Sequence, residues 1–159
     1  MDPLLKLLKE NAMEPLENVA KMLNLPLEEV RARIRDYEAK GIIRGYQAIV
    51  NEDALDLERV VAIIEVKLVP ERGGGFDRLA MRISRFPEVA AAFLVSGQAD
   101  LMLFVEGRNL QQVAAFVSEK LSTIQGVTAT STAFRLKTYK NHGLVMESQD
   151  EYERLKVSP

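Results

Sequence analysis

The stretch VAKMLNLPLEEVRARIRDYEAKGIIRGYQAIV, residues 19–50, contains the pattern that decides the fold of the N-terminal half. Its apolar residues recur at three- and four-residue intervals, which predicts two amphipathic helices, the second over about residues 26–39. The Asn-Leu-Pro turn at residues 24–26 separates these helices, and Gly41 is placed to end the second one. Residues 42–50 are rich in apolar and β-branched side chains, so a strand is predicted directly after the helix.

A further helix is predicted at the N-terminus, where Asp2 is a suitable cap, Pro3 takes the first helical position and Asn11 ends a leucine stripe. Two helices about three residues apart, the second bearing exposed arginines and followed by a strand, are the layout of a winged helix-turn-helix. The periodicity also allows a small helical bundle whose charges only solvate its surface. Acid–base pairs at i,i+4, such as Glu29 with Arg33, occur on any exposed helix.

The C-terminal half has a different pattern, in which short apolar strands alternate with two helical stripes. The order is βαββαβ, and its two halves repeat the same apolar spacing, in FDRLAMRI (76–83) and LQQVAAFV (110–117). This order and repeat predict a ferredoxin-like fold, so the whole chain is expected to be an α+β protein. The predicted strands span residues 60–69, 89–95, 101–105 and 127–140, and the helical stripes run over residues 76–86 and 110–124.

The predicted sheet is apolar on both of its faces. Both helices of a ferredoxin-like fold cover one face, so the strands would alternate apolar and polar residues if the other face met water. VVAII (60–64), VAAAFLV (89–95) and LMLFV (101–105) are continuous apolar runs instead. A homodimer packed through these faces is therefore predicted, with the alternative that the N-terminal half folds back over the sheet.

The charge distribution suggests where the two halves join. Residues 51–59, NEDALDLER, hold four acidic residues and one arginine, a composition typical of a linker. The predicted organisation is a winged helix-turn-helix over residues 1–51, a linker over 52–59, a ferredoxin-like dimerisation and effector domain over 60–141, and a tail over 142–159.

The composition excludes several classes of protein. The 159 residues include no cysteine and one histidine, so disulfide frameworks, thiol nucleophiles and histidine-rich metal sites are excluded, and neither a metal nor a cofactor is expected. The longest apolar run, residues 89–95, is far shorter than the roughly 20 residues that a membrane span needs. A net charge of −2 argues against indiscriminate nucleic-acid binding. We expect a cytoplasmic protein without a membrane segment.

Both halves resemble the leucine-responsive/asparagine-synthesis regulator family (Lrp/AsnC, the feast/famine regulators). That family's DNA-binding segment follows the pattern L-A-x-x-L-G-L-S and then V-x-x-R-I-x-x-L-E-x-x-G-V-I-x-G-Y. Its effector domain has a G-x-x-D turn between the second and third strands, here residues 97–100, and a Gly-Val that opens the last strand, here residues 126–127. The helix-turn-helix residues in register are Ala20, Leu23, Leu25, Val30, Arg33, Ile34, Glu38, Gly41, Ile43, Gly45 and Tyr46.

The resemblance implies a transcriptional regulator that binds double-stranded DNA. It also implies a homodimer, which in this family often builds larger rings such as tetramers or octamers. The small-molecule effector implied is an amino acid or a related metabolite, bound at the junction between dimers.

The resemblance assigns DNA contact to the second helix of the helix-turn-helix and to the residues that follow it. Pro26 stands where the family has serine, which removes a hydroxyl cap, and Glu28 and Glu29 occupy the first turn of that helix. A carboxylate there can accept a hydrogen bond from cytosine but is repelled by phosphates. The expected DNA-binding residues are Glu28, Glu29, Arg31, Arg33, Arg35 and Arg44.

The G-x-x-D turn is the expected effector site. Gly97 suits the positive φ of a hairpin turn, and Asp100 can accept a hydrogen bond from the ammonium group of an amino acid. Ala99 replaces an aromatic residue often found in the family, which would change the shape of the pocket. A hairpin turn without a ligand is the alternative. The expected effector-binding residues are Gly97, Gln98, Ala99 and Asp100, together with Thr130 and Thr132 on one face of the last strand and Ser131 on the other.

Two other functions are left open by the residues. The adjacent glutamates and the neutral first half favour an effector-binding or scaffold relative that has lost strong DNA binding. Siroheme decarboxylases resemble the same two-domain layout and are the enzymatic alternative, but they rely on histidine and basic residues around a tetrapyrrole. The single histidine here, His142, follows the last predicted strand, so no enzymatic activity and no catalytic residue are expected.

Overall fold

The computed structural model describes residues 1–55, 57–70 and 75–146, so most of the predicted tail lies outside the described residues. The chain divides into two compact units, with the boundary between Ile49 and Val50. The N-terminal unit contains the helices α1 (Pro3–Glu10), α2 (Leu16–Leu23) and α3 (Leu27–Ala39).

Capping residues account for the boundaries of these helices. The Asp2 carboxylate accepts a hydrogen bond from the Leu4 N–H at 2.7 Å, which caps α1 and keeps the pKa of Asp2 below its ordinary value. Asn24, between α2 and α3, has a φ of +52°, a left-handed conformation that asparagine tolerates. The apolar stripes converge on a core that includes Leu4, Val19 and Val30, which are fully buried. The predicted helix-turn-helix is therefore confirmed.

The predicted strand at residues 42–50 is wrong. The N–H groups of Ile42 and Ile43 donate to the Tyr37 carbonyl at the end of α3, at 2.8 and 3.1 Å. No strand forms over the residues that follow, because a strand exists only in a hydrogen-bonded pair and no described segment pairs with this one. β-branched composition indicates that a segment can pair, and it does not supply a partner.

The C-terminal unit is an antiparallel sheet with helices packed on one face, which confirms the ferredoxin-like prediction. The strand order is β2-β3-β1-β4, so the first strand in the chain lies inside the sheet between the third and the fourth. Its elements are β1 (Val60–Leu68), α4 (Asp77–Ile83), β2 (Val89–Leu94), β3 (Leu101–Gly107), α5 (Leu110–Ala115), a π-helical turn (Phe116–Leu121) that continues α5, and β4 (Val127–Phe134).

Alternate residues of the two inner strands form the core of this unit. Ile64 of β1 and Leu103 of β3 are fully buried and lie opposite each other in the register. Ile83 of α4 and Phe116 of the π-helical turn belong to the same buried cluster, so both helices pack on this face of the sheet. The other face receives no helix from the described part of this unit.

The last predicted strand, residues 127–140, is too long, because β4 ends at Phe134, opposite Ala62 near the start of its antiparallel partner β1. A separate hairpin follows, made of β5 (Lys140–Asn141) and β6 (Leu144–Val145). Its turn residues His142 and Gly143 have φ values of +46° and +89°, the positive values that a two-residue hairpin turn needs. His142, expected in the tail, is therefore a turn residue.

Residues of the expected linker, 52–59, are bonded to the C-terminal unit. The Glu52 carboxylate lies 2.7 Å from the Arg59 guanidinium and 2.8 Å from that of Arg135, which follows β4. Arg59 also pairs with Glu106 of β3, and this contact raises the pKa of Arg59. These ion pairs attach the residues before β1 to β3 and to the segment that follows β4.

Candidate functional site

Four of the six residues expected to contact DNA are paired with one another on α3. Glu28 lies 3.2 Å from Arg31, and Glu29 lies 2.5 Å from Arg33, whose pKa the hydrogen bond to Glu29 raises. Each glutamate is thus offset by an arginine three or four residues further along the helix. The first turn of α3 therefore carries no uncompensated negative charge from these two residues.

Arg35 and Arg44 are the remaining two residues of that set. Both side chains are exposed, and neither forms an ion pair with a residue in the described part of the chain. The Arg44 guanidinium lies over Gly41, where a β-carbon would be only 2.9 Å from its Cζ. Gly41 has a φ of +65°, so it ends α3 and also leaves room for Arg44 beside the helix end.

Tyr46 supports this surface, although the sequence analysis gives it no role beyond its place in the family pattern. Its hydroxyl donates a hydrogen bond to the Glu38 carboxylate at 3.0 Å, and partial burial, together with Glu38, raises the pKa of Tyr46. This bond holds the segment after α3 against the helix. Residues eight positions apart do not contact each other within one helix or one strand. Periodicity therefore gives no signal for this contact.

In the second unit, the structure gives Asp100 a backbone partner. One oxygen of its carboxylate accepts a hydrogen bond from the Leu68 N–H at 2.9 Å, and the Asp100 N–H donates to the Val66 carbonyl at 3.0 Å. The other oxygen lies 3.7 Å from Nζ of Lys67, a residue that the sequence analysis missed. Asp100 therefore continues the ladder where the pairing of β1 and β3 ends, and it keeps one oxygen directed to a lysine.

The rest of the expected effector turn has the geometry of a tight connection. Gly97 has a φ of +154°, in the region that favours glycine, which confirms the predicted backbone role. Gln98 is exposed, whereas Ala99 is buried. Only Gln98 and Asp100 of this turn thus carry polar side-chain groups that a ligand could reach.

The hydroxyl residues of β4 alternate between the two faces of the sheet, as expected. Thr130 pairs with Val66 and Thr132 with Ile64, so both lie on the face that the helices cover, and Ser131 lies on the other face. Thr130 is two strands away from Leu101, about 10 Å, and shares its end of the sheet with Asp100. Thr130 thus shares one end of the sheet with Asp100, but Lys67, which lies beside Asp100, is on the other face, the face of Ser131.

A cleft of about 580 Å³ lies at the opposite end of the sheet, where β3 ends and β2 begins. Its charged groups include two acid–base pairs, Glu106 with Arg59 and Glu88 with Lys120, and the Lys120 ammonium lowers the pKa of Glu88. Because these two carboxylates already have cationic partners, they are not free to bind the charged groups of a ligand in the cleft.

The face of the sheet opposite the helices is apolar and exposed. Phe93 of β2 is 54% exposed and packs edge-on against Phe104 of β3, with ring centroids 6.0 Å apart. Ile63 of β1 lies opposite Phe104 on one side and opposite Ala133 of β4 on the other, so all four residues share this face. The prediction of a second apolar face is confirmed, and the homodimer inferred from it stays a prediction.

Comparison with known proteins decides the family. A family model described as the Lrp/AsnC ligand binding domain matches residues 61–145, more than half of the chain. The HTH-type transcriptional regulator YugG of Bacillus subtilis is 43% identical over 157 residues, which cover 98% of this chain and 95% of YugG. The chain belongs to the Lrp/AsnC family. It is therefore a helix-turn-helix transcriptional regulator and not an enzyme, so the siroheme decarboxylase alternative is set aside.

Solved structures confirm the fold of this Lrp/AsnC protein. The leucine response regulatory protein LrpA of Mycobacterium tuberculosis matches with a TM-score of 0.73 at 19% identity, covering 92% of this chain and all of LrpA (100%). A transcriptional regulator of Neisseria meningitidis, solved as an L-Met complex, matches with a TM-score of 0.64 at 24% identity, covering 89% of this chain and 93% of that one. Within the described residues of this Lrp/AsnC protein, no helix has the length and apolarity to cross a membrane.

Proposed function

We propose that this Lrp/AsnC protein acts in the cytoplasm as a homodimer whose DNA binding responds to an amino acid. One observation supports the proposal above the others. The chain combines a helix-turn-helix in which Arg35 and Arg44 have no ion-pair partner among the described residues with a ferredoxin-like unit whose second face is apolar and exposed. The arginines suit a polyanion such as DNA, and the apolar face suits another copy of the chain.

DNA contact is assigned to α3 and to the residues beside its C-terminal end. Arg31 and Arg33 form ion pairs with glutamates of the same helix. We therefore assign the main phosphate or base contacts to Arg35 and Arg44. Neutralisation of Glu28 and Glu29 also removes the main reason to regard the chain as a relative that has lost strong DNA binding. Larger rings, such as tetramers or octamers, are a further part of this proposal.

The effector site is assigned to the Asp100 end of the sheet. The Neisseria relative was solved with L-Met, and a zwitterion of that kind suits the charges here. The Asp100 oxygen that faces Lys67 would receive the ammonium group, while Lys67 would receive the carboxylate. Ser131 lies on the face of the sheet that carries Lys67, and residues of a neighbouring dimer would complete the site.

Replacing Asp100 with Asn is expected to weaken amino-acid binding while the fold is kept. The Asn oxygen still accepts the hydrogen bond from the Leu68 N–H, but the negative charge that attracts ammonium is gone. A charge-assisted hydrogen bond contributes about 1.5–3 kcal/mol, so affinity should fall at least about tenfold. The measurement is calorimetry of wild type and variant with each of the common amino acids, beginning with methionine.

The control is Glu119→Gln, which removes one negative charge from an exposed residue of the helical layer, away from both the proposed site and the proposed dimer face, and should leave binding unchanged. Asp100→Ala additionally removes the acceptor for Leu68 and should destabilise the unit by about 1–3 kcal/mol. Equal amino-acid affinity of wild type and Asp100→Asn would mean that Asp100 serves the turn alone.

A further inference from the structure

The solvent-facing side of α4 carries a row of arginines. Arg78, Arg82 and Arg85 follow one another at intervals of four and three residues, and all three are exposed. Residues at these intervals share one side of a helix, and the seven helical steps from Arg78 to Arg85 span about 10 Å. The helical turn continues past α4 to Arg85, whose N–H donates to the Arg82 carbonyl at 3.4 Å. We call these three residues the α4 arginine row.

Among the described residues, the positive charges of Arg82 and Arg85 are only weakly compensated. Arg82 and Arg85 form no ion pair with any residue that the structure describes. The acidic residues of the two helical segments, 76–86 and 110–124, are Asp77 and Glu119, and Glu88 just beyond is already paired with Lys120. The outer surface of the helical layer is therefore locally basic in a chain with a net charge of −2.

The row also stays accessible in the proposed dimer. Leu79 and Ile83 turn the opposite side of α4 onto the sheet, where they are buried. The apolar face assigned to dimerisation is on the far side of that sheet. A second copy packed there leaves the arginine row facing solvent.

We propose that the α4 arginine row binds the phosphate backbone of double-stranded DNA, so that the effector unit makes a sequence-independent contact of its own. This inference rests on the proposed function, because the duplex is the one that the helix-turn-helix recruits. Duplex DNA carries one charge per about 1.7 Å of axis, so a 10 Å row faces about six phosphate charges. Guanidinium groups bind phosphates in a bidentate manner.

A protein partner fits this surface less well. Protein interfaces rely on buried aromatic or aliphatic anchors in their centre, surrounded by a polar rim. The other exposed residues on this side of α4 are Asp77, Met81 and Ser84, with no aromatic side chain among them. A row of arginines with a single methionine beside it and no aromatic anchor is suited to a polyanion.

The test measures how the affinity of the full-length protein for a mixed-sequence duplex of about six helical turns depends on salt, between about 50 and 200 mM. The double variant Arg82→Gln with Arg85→Gln should bind more weakly and flatten the plot of log K against log salt concentration by about 0.9 per arginine in contact. The matched control, Arg82→Lys with Arg85→Lys, retains both charges and should keep nearly the wild-type slope. Circular dichroism and sedimentation check that the variants keep their fold and oligomeric state.

An unchanged slope in the glutamine variant would overturn the proposal and leave the row as a solvated surface. A slope that falls equally in the lysine variant would also overturn it, because charge would then not be the cause. The proposed function is tested separately, by replacing Arg35 and Arg44 with Gln on the same duplex. If that change leaves binding unaltered, the helix-turn-helix assignment fails whatever the α4 arginine row does.

Discussion

Replacing Phe104 with Asp is expected to convert the proposed dimer into a monomer. Phe104 lies in the middle of the apolar sheet face, between Phe93 and Ile63. A carboxylate there would be buried without a partner in each half of the interface, at a cost of several kcal/mol for each copy. The dimer dissociation constant should rise by at least a factor of about one hundred, measured by sedimentation equilibrium. DNA affinity should also fall about 100-fold or more, since one helix-turn-helix would bind without the second.

Two further variants separate assembly from folding. Ala133→Asp places the same charge on the same face but removes no packed ring, so it should also give a folded monomer. Leu110→Asp places the charge at an exposed leucine (52% exposed) at the start of α5, in the helical layer, and should leave the dimer intact. A dimer that survives both Phe104→Asp and Ala133→Asp would contradict the assignment of this face.

Replacing both Arg35 and Arg44 with Gln is expected to reduce DNA affinity by at least about 100-fold. These are the arginines of the expected DNA-binding set whose charge no described acidic residue offsets, and a bidentate contact to a base contributes about 1–3 kcal/mol. Because a dimer presents each residue twice, the salt dependence should flatten by about 3.6 if all four contacts are to phosphate. The measurement is fluorescence anisotropy with a labelled duplex over a range of salt concentrations.

The control for this variant is Lys40→Gln, compared with the single Arg35→Gln. Both remove one positive charge from α3 or its end, but Lys40 is engaged with Asp36 at 2.7 Å, so its loss should matter less. Equal losses from the two single variants would indicate a general charge effect and would contradict a specific role for Arg35.

The elements that could be predicted from the sequence are those whose signal is local. The helix cap at Asp2, the turn at Asn24, the stop at Gly41 and the apolar run of β1 depend on residues within a turn or a strand of one another. The strand at residues 42–50 failed for the opposite reason. Its existence depends on a partner segment, and a partner is a property of the whole fold.

The residues of the candidate site also differ in whether a local pattern reveals them. The arginines on α3 and the pairing of Glu29 with Arg33 were visible from helical spacing. The arginines could be ranked as DNA contacts only once all of the ion pairs were known. The contacts of Asp100 could not be predicted from the sequence either. Its hydrogen bond to Leu68 and its proximity to Lys67 join residues more than thirty positions apart, which are brought together by the antiparallel pairing of β1 and β3.

The central claim is that DNA binding and amino-acid binding are coupled in this chain. It is tested most directly by enriching random-sequence duplexes on the full-length protein and then titrating the enriched duplex with and without each amino acid. We predict enrichment of a pseudo-palindromic sequence with half-sites about 10 bp apart, or a multiple of that spacing, and a change in its affinity of about fivefold or more with at least one amino acid. No enrichment at about 50 mM salt, or an affinity that is the same with every amino acid, would contradict the account.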